Sequence, residues 1–175
     1  AKSQRRSVSW STTSPSSARY SAANVGPKSR YRSSYRAKIR ALNSAGLARP
    51  VVINTGTNNL TLLSTLANNA GFTKLGSGSL ILSGDAANTG TGLVQVSEGN
   101  LVLNKFAAQA AIAGGTVIVN EGRTLQITGF DGQLAGNPTL GLMSGATLDM
   151  TGRAAALGTG NLFMQGATVA TGLGA

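Results

Sequence analysis

Short runs of alternating hydrophobic and polar residues fill residues 51–175, and glycines break the runs. The clearest copies are VSEGNLVLN (96–104), VNEGRTLQI (119–127), LMSGATLDM (142–150) and FMQGATVAT (163–171). Alternation of this kind indicates strands, because successive side chains of a strand point to opposite faces. Glycine at the break supplies a backbone conformation that other residues reach only at a cost. Each copy is therefore predicted to be a strand, a tight corner and a second strand.

The copies form an internal repeat of 21–23 residues. Its corner glycines are Gly56, Gly78, Gly99, Gly122, Gly145 and Gly166, and three places before them stand Ile53, Leu75, Val96, Val119, Leu142 and Phe163. A further apolar position, at Ile112, Leu134 and Leu157, would form the third side of a turn. No single turn can bury its own apolar face, so the stacked turns are the folding unit.

The repeat predicts an all-β fold, a right-handed parallel β-helix (solenoid) of about six turns. With strands about 4.8 Å apart, the rod would be roughly 25–30 Å long, with like residues above like. A β-sandwich or barrel is the alternative, since these folds also have short strands at regular spacing. Neither of them requires one glycine-centred unit copied six times in the same register.

The run FTKLGSGSLILSGDAANTGTGLVQVSEGNLVLN (72–104) resembles the passenger-associated repeat of bacterial autotransporters. The matching positions are Phe72, Lys74, Gly76, Gly78, Leu80, Leu82, Gly84, Val94, Val96, Gly99, Leu101 and Leu103. The resemblance implies a right-handed β-helix, export through a Gram-negative outer membrane, and an extracellular or cell-surface location. Passengers of this family usually have more turns, so we expect a fragment, a processed product or a relative used differently.

Charge divides the chain sharply at Pro50. Residues 1–50 contain 11 Lys and Arg and no Asp or Glu, whereas residues 51–175 contain 4 Lys and Arg against 5 acids. We therefore predict a basic arm over 1–50 and the solenoid over 51–175. The chain contains no Cys and no His, which excludes disulfides, His-based catalytic triads and His-ligated metal sites. No cofactor is expected.

The arm itself has two parts. Residues 1–26 are rich in Ser, Thr and Ala, and alone they should be disordered unless the solenoid, a neighbouring subunit or a polyanion holds them. Farther along, Tyr31, Tyr35, Ile39 and Leu42 recur at helical spacing, which predicts a helix over 29–43 that caps the first turn. The same stretch also alternates like a strand, so a strand is the alternative.

Tyrosines interleave with cations in this second part of the arm, as in segments that pair with phosphates and stack on bases. The candidate contacts to a polyanion or a neighbouring subunit are Lys28, Arg30, Tyr31, Arg32, Tyr35, Arg36, Lys38 and Arg40. The polyanion would be nucleic acid or an acidic glycan. The simpler interpretation is an export-related or lattice-packing arm whose charge meets an acidic surface.

Two glutamates provide the only candidate for catalysis. Glu98 and Glu121 occupy the same corner position in successive turns and should lie close together. Paired carboxylates can act as general acid and base or hold Ca²⁺, as a polysaccharide lyase or hydrolase would require. The simpler interpretation is two solvated corner residues, and we therefore predict that the protein is not an enzyme.

These patterns together favour an extracellular structural or adhesive solenoid. The last turn ends without an evident polar cap, which suggests a homo-oligomer or filament built by end-to-end stacking. An adhesin would also need a cell-surface receptor. No apolar run of about 20 residues is present, so no membrane-spanning helix is predicted. The alternative is a polyanion-binding protein that acts through the basic arm.

Overall fold

The computed structural model of the chain describes residues 19–21, 50–153, 157 and 160–172. These residues form thirteen short strands. The strands are β1 (Arg19–Ser21), β2 (Val51–Asn54), β3 (Leu60–Leu62), β4 (Gly71–Leu75), β5 (Ser79–Leu82), β6 (Leu93–Val96), β7 (Asn100–Leu103), β8 (Thr116–Val119), β9 (Thr124–Ile127), β10 (Thr139–Leu142), β11 (Thr147–Asp149), β12 (Leu162–Met164) and β13 (Thr168–Ala170). No helix is present among the described residues.

The strands stack into two parallel sheets. One sheet has the order β1-β2-β4-β6-β8-β10-β12, and the other has the order β3-β5-β7-β9-β11-β13. Strands that follow one another along the chain from β2 onward alternate between the sheets, so the chain winds as a solenoid. This confirms the predicted all-β parallel solenoid and argues against a sandwich or barrel. The described pairs make about five full turns, so the expected six are not confirmed.

The core consists of columns of aliphatic side chains that run from turn to turn. Leu80, Leu101, Leu125 and Leu148 are paired in register along one sheet, and all four are completely buried. Their neighbours along each strand alternate between buried and partly exposed, as the sequence predicted. Burial of a leucine side chain contributes about 1.5–3 kcal/mol, so these columns hold the stack together.

The third side of each turn is a loop that returns to the first sheet. Ile112 and Leu134 lie on this side, are buried, and form an isolated parallel bridge with each other. Leu157 is partly buried against the same core. The predicted third apolar position is therefore confirmed.

The predicted corner ladder is wrong by two residues in the second turn. Gly76, not Gly78, has the left-handed backbone (φ +86°) there. Lys74, not Leu75, pairs with Ile53 on one side and Val96 on the other, and so takes the inward position. Two glycines, Gly76 and Gly78, stand in this corner, and the chain uses the first of them for the left-handed conformation.

A smaller correction applies to the last turn. Met164, not Phe163, pairs with Leu142. Phe163 pairs with Gly141 instead, on the outer side of the strand, and its side chain is exposed. The inward-facing position of this strand is therefore Met164, one residue later than the repeat predicted.

Only Arg19–Ser21 of the predicted basic arm is described, and it forms β1, which pairs in parallel with β2. The solenoid thus holds a part of the segment that was expected to need a partner. The predicted helix over 29–43 and the boundary at Pro50 stay predictions, because residues 22–49 lie outside the described part.

Candidate functional site

All eight basic and aromatic residues proposed as polyanion or subunit contacts lie between residues 28 and 40, outside the described part of the chain. The described residues that could bind a ligand lie in other parts of the chain. The solenoid interior contains a cavity of only about 30 Å³, room for a single water molecule. A cavity of this size holds no organic ligand, and the corners of the solenoid carry polar side chains.

Lys74 is the most unusual residue of the corners. It lies on β4 at a position that is aliphatic in the turns on either side, and its side chain is completely buried. Its Nζ donates hydrogen bonds to the carbonyl oxygens of Leu75 (3.0 Å), Gly76 (2.6 Å) and Glu98 (2.9 Å). One ammonium group thus binds three carbonyls, two of its own corner and one of the next turn.

Burial lowers the pKa of Lys74 to about 8, from an ordinary value of 10.5. The negative charge of Glu98 opposes this shift, and the positive charge of Arg123 adds to it. A lysine this close to neutrality is uncommon on a surface but typical of a group removed from water. Its three carbonyl contacts leave it no free hydrogen for a ligand, so its role is structural.

Gly99 lies directly over this lysine. A Cβ atom at Gly99 would lie 2.4 Å from the Gly78 oxygen, 2.5 Å from the Gly76 oxygen and 2.9 Å from the Lys74 Nζ. Gly99 also has a positive φ of 62°. Glycine is therefore required here for two reasons, the backbone conformation and the close approach of the turn below.

The two predicted carboxylates have different surroundings in the structure. The Glu98 Oε2 atom accepts a hydrogen bond from the Gly76 amide of the preceding turn, at 2.6 Å. Glu121 lines an open groove instead. In the part of the chain that the structure describes, no group of three or more His, Cys, Asp or Glu residues could hold a metal ion. The arrangement gives no support to the acid–base or Ca²⁺ hypothesis.

A second buried lysine, Lys105, lies two residues after the end of β7, in the loop that follows this strand. Its Nζ donates to the Ser83 carbonyl (2.9 Å) and to Asn88 Oδ1 (3.2 Å). Burial lowers its pKa, and the charge of Asp85 opposes the shift. Asn88 in turn accepts from the Leu66 amide (2.9 Å), so this polar cluster ties three successive turns together.

The groove follows the corner that β6, β8, β10 and β12 reach in successive turns. The residues directly after these strands are Ser97, Asn120, Met143 and Gln165, and all four line the groove. Each donates its backbone N–H to a carbonyl of the preceding turn at 2.9–3.0 Å, which fixes them in one column. The groove has a volume of about 830 Å³ and is open to solvent.

Arg123 forms one wall of this groove. Its backbone N–H donates to the Asn120 carbonyl (3.0 Å), which closes the corner between β8 and β9. Its Nε atom is buried and has no hydrogen-bond partner among the described residues. A buried donor without a partner is costly. Because this atom is buried, a ligand in the open groove cannot contact it, and Arg123 contributes to the groove through its positive charge.

Exposed apolar side chains occur in three other places among the described residues. Leu93 at the start of β6 is 38% exposed. Phe106 and Phe130 occupy equivalent positions after β7 and β9, and each is 53% exposed. Leu162, Phe163 and Met164 are all exposed on β12, where the described stack ends. The equivalent positions of β10 are buried.

The sequence pattern predicted neither the burial of the two lysines nor the groove. The repeat match included Lys74 by position, but alternation alone cannot show that a lysine is buried. Arg123 follows a corner glycine in one turn only, and no periodicity distinguishes it. A signal was present for Lys74, since it takes a place between Ile53 and Val96 at which the other turns have aliphatic residues.

In comparisons with known proteins, no family model, no curated protein and no solved structure matches the chain. The resemblance to autotransporter passengers therefore stays a prediction. None of the described residues belong to a helix long and apolar enough to cross a membrane.

Proposed function

We propose that the chain is a structural or adhesive β-solenoid, not an enzyme, similar to an autotransporter passenger and displayed outside a bacterial cell. The positions of the repeat at 72–104 support this proposal. The leucines of the motif, such as Leu80 and Leu101, fill the interior, and Gly76 and Gly99 turn the corners. We also propose a right-handed winding, because parallel crossover connections are right-handed in nearly all proteins.

The observation that carries a structural function is the open end of the stack. In β12, Leu162 continues the column of Leu140 and Met164 continues the column of Leu142, yet both are 39–47% exposed. The backbone of β12 has a strand neighbour on one edge only within the described stack. A sheet edge with exposed apolar side chains is a template for another strand.

The occupant we propose for this end is a second copy of the chain, added head to tail. The sheets of the second copy would continue both sheets of the first in the same direction. β12 and β13 of one copy would then face the first strands of the next copy. Such a contact repeats by translation along the rod axis, so it does not close into a ring and produces a filament. The basic arm would then bridge neighbouring copies, and binding of a polyanion by the arm is the alternative role.

Electron microscopy of the purified chain tests this proposal. Wild-type protein should form filaments, and Leu162→Asp should prevent them, because a charge would enter the column at the contact. Phe130→Asp is the matched control, since Phe130 is equally apolar and exposed but lies on the side of the rod. Monodisperse wild-type protein at high concentration in sedimentation would contradict self-assembly, as would filaments that both variants retain.

A further inference from the structure

The groove beside β6, β8, β10 and β12 has a regular geometry. Its four column residues come from four successive turns, so they are separated by about 4.8 Å each and span about 14 Å along the axis. A pyranose unit in an extended polysaccharide is about as long as one such step. A chain molecule that lies along the groove can therefore meet an equivalent position at every unit.

The side chains of the groove can hydrogen-bond a hydroxylated ligand. Ser97 and Ser144 provide hydroxyl groups, and Gln165 provides an amide. Asn120 Oδ1 already accepts from Gln95 Nε2 (3.3 Å), which leaves the Asn120 NH₂ group as a donor. Oriented polar groups of this kind on a largely preformed surface are typical of sites for polar ligands.

The groove carries one positive and one negative side chain, Arg123 and Glu121. The guanidinium group of Arg123 can bind a carboxylate by charge-assisted hydrogen bonds. Glu121 lies in the same groove and can accept from a hydroxyl group. A ligand that carries both carboxylates and hydroxyls satisfies both residues.

Single-stranded nucleic acid fits this groove less well. Its binding sites combine a positive groove with aromatic side chains on which bases stack, and no aromatic residue lines this groove. The exposed aromatic residues Phe106 and Phe130 lie elsewhere, after β7 and β9.

We propose that this groove binds an acidic oligosaccharide along the solenoid axis, with a sugar carboxylate on Arg123 and sugar hydroxyls on Ser97, Asn120 and Ser144. The site is distinct from the basic arm and from the end of the stack. The proposal therefore does not depend on self-assembly, and a binding measurement can fail while filaments still form.

Calorimetric titration of the full chain with a short oligogalacturonate tests the proposal. Salt should be raised enough to screen the basic arm, because the contact with a partly buried arginine is screened less than contacts with exposed charges. We expect saturable binding that Arg123→Gln weakens at least tenfold. Arg153→Gln is the matched control, since it removes the same charge from an arginine that donates to the Thr128 carbonyl (3.1 Å) at another corner.

A second variant keeps the test decisive if Arg123→Gln fails to fold. Ser144 is exposed, so Ser144→Tyr should fold normally, fill the groove and weaken binding as strongly. The methyl-esterified oligosaccharide, which lacks the carboxylates, should bind more weakly than the acid. No saturable binding, or equal losses in Arg123→Gln and Arg153→Gln, would overturn the proposal. Equally strong binding of a single-stranded oligonucleotide would assign the interaction to the arm.

Discussion

At the scale of single residues, Lys74 shows how this solenoid accommodates an irregular corner. Its ammonium group must be removed from water, which is unfavourable, but it donates to three carbonyl oxygens. The Leu75 carbonyl also accepts from the Thr55 N–H at 3.0 Å, so only the Gly76 and Glu98 carbonyls would be left without a hydrogen bond among the described residues. Each such orphaned carbonyl would cost about 1–3 kcal/mol. The three contacts together can offset the burial of the charge, and this explains why a lysine replaces an aliphatic residue here.

Substitution of two corner glycines separates backbone strain from crowding over Lys74. Gly99 and Gly122 have nearly the same φ, 62° and 65°, but a Cβ at Gly122 would meet nothing within 4 Å. We expect Gly122→Ala to reduce the free energy of unfolding by about 1–2 kcal/mol through its left-handed conformation alone. Gly99→Ala should cost at least about 2 kcal/mol more, because its Cβ meets backbone oxygens and the Lys74 Nζ.

Urea denaturation of both variants, monitored by circular dichroism, measures this difference. Equal losses in Gly99→Ala and Gly122→Ala would show that the corner over Lys74 relaxes without cost. A smaller loss for Gly99→Ala than for Gly122→Ala would contradict the packing argument altogether.

At the scale of elements, stability should depend on a strand's place in the stack. Leu125 on β9 is completely buried between turns, whereas Leu60 on β3 occupies the same column in the first turn and is only partly buried. We expect Leu125→Ala to cost about 2–5 kcal/mol, because it opens a cavity inside the core. Leu60→Ala should cost about 1 kcal/mol. Thermal or urea unfolding of the two variants would measure the gap, and similar losses would contradict it.

The elements were the part of the fold that the sequence could predict. Alternation placed the strands and the columns of leucines, because a period of two reports directly which side chains face inward. The same logic misplaced the second corner, since two glycines two residues apart, Gly76 and Gly78, compete for one position. Lysine is almost never fully buried, so alternation alone did not place Lys74 inside, although its register between Ile53 and Val96 was a signal.

The groove could not be predicted for a different reason. Its residues are brought together by the stacking of turns, and residues such as Ser97 and Gln165 look like ordinary corner residues along the chain. Arg123 likewise follows a corner glycine along the chain, and only the stacking of turns places it in one groove with Ser97 and Gln165.

At the scale of the whole molecule, the buried lysines should make stability depend on pH in the alkaline range. The folded-state pKa of Lys74 is about 8, and its ordinary value is 10.5. Between these values the unfolded chain holds the proton more tightly than the folded one, so the free energy of unfolding rises with pH. Below pH 8 both states are protonated, and the full cost of burying the charge is present.

The rise between pH 8 and 10.5 should be on the order of 3 kcal/mol for Lys74, at about 1.4 kcal/mol per unit of pKa. Lys105, whose pKa burial also lowers, adds to it in the same direction. Other groups titrate over this range, so the difference between wild type and Lys74→Met isolates the effect. Methionine fills a similar volume but cannot titrate, and its unfolding profile should rise less steeply.

Urea titrations of both proteins at several pH values from 7 to 11 would measure the two profiles. The stability of wild type relative to Lys74→Met should increase through this window and level off above it. Parallel profiles would mean that the ammonium group keeps an ordinary pKa, held in its charged form by its three carbonyls. The corner around Lys74 would then be stabilised by a fully charged lysine, and burial would have little effect on the pKa of that lysine.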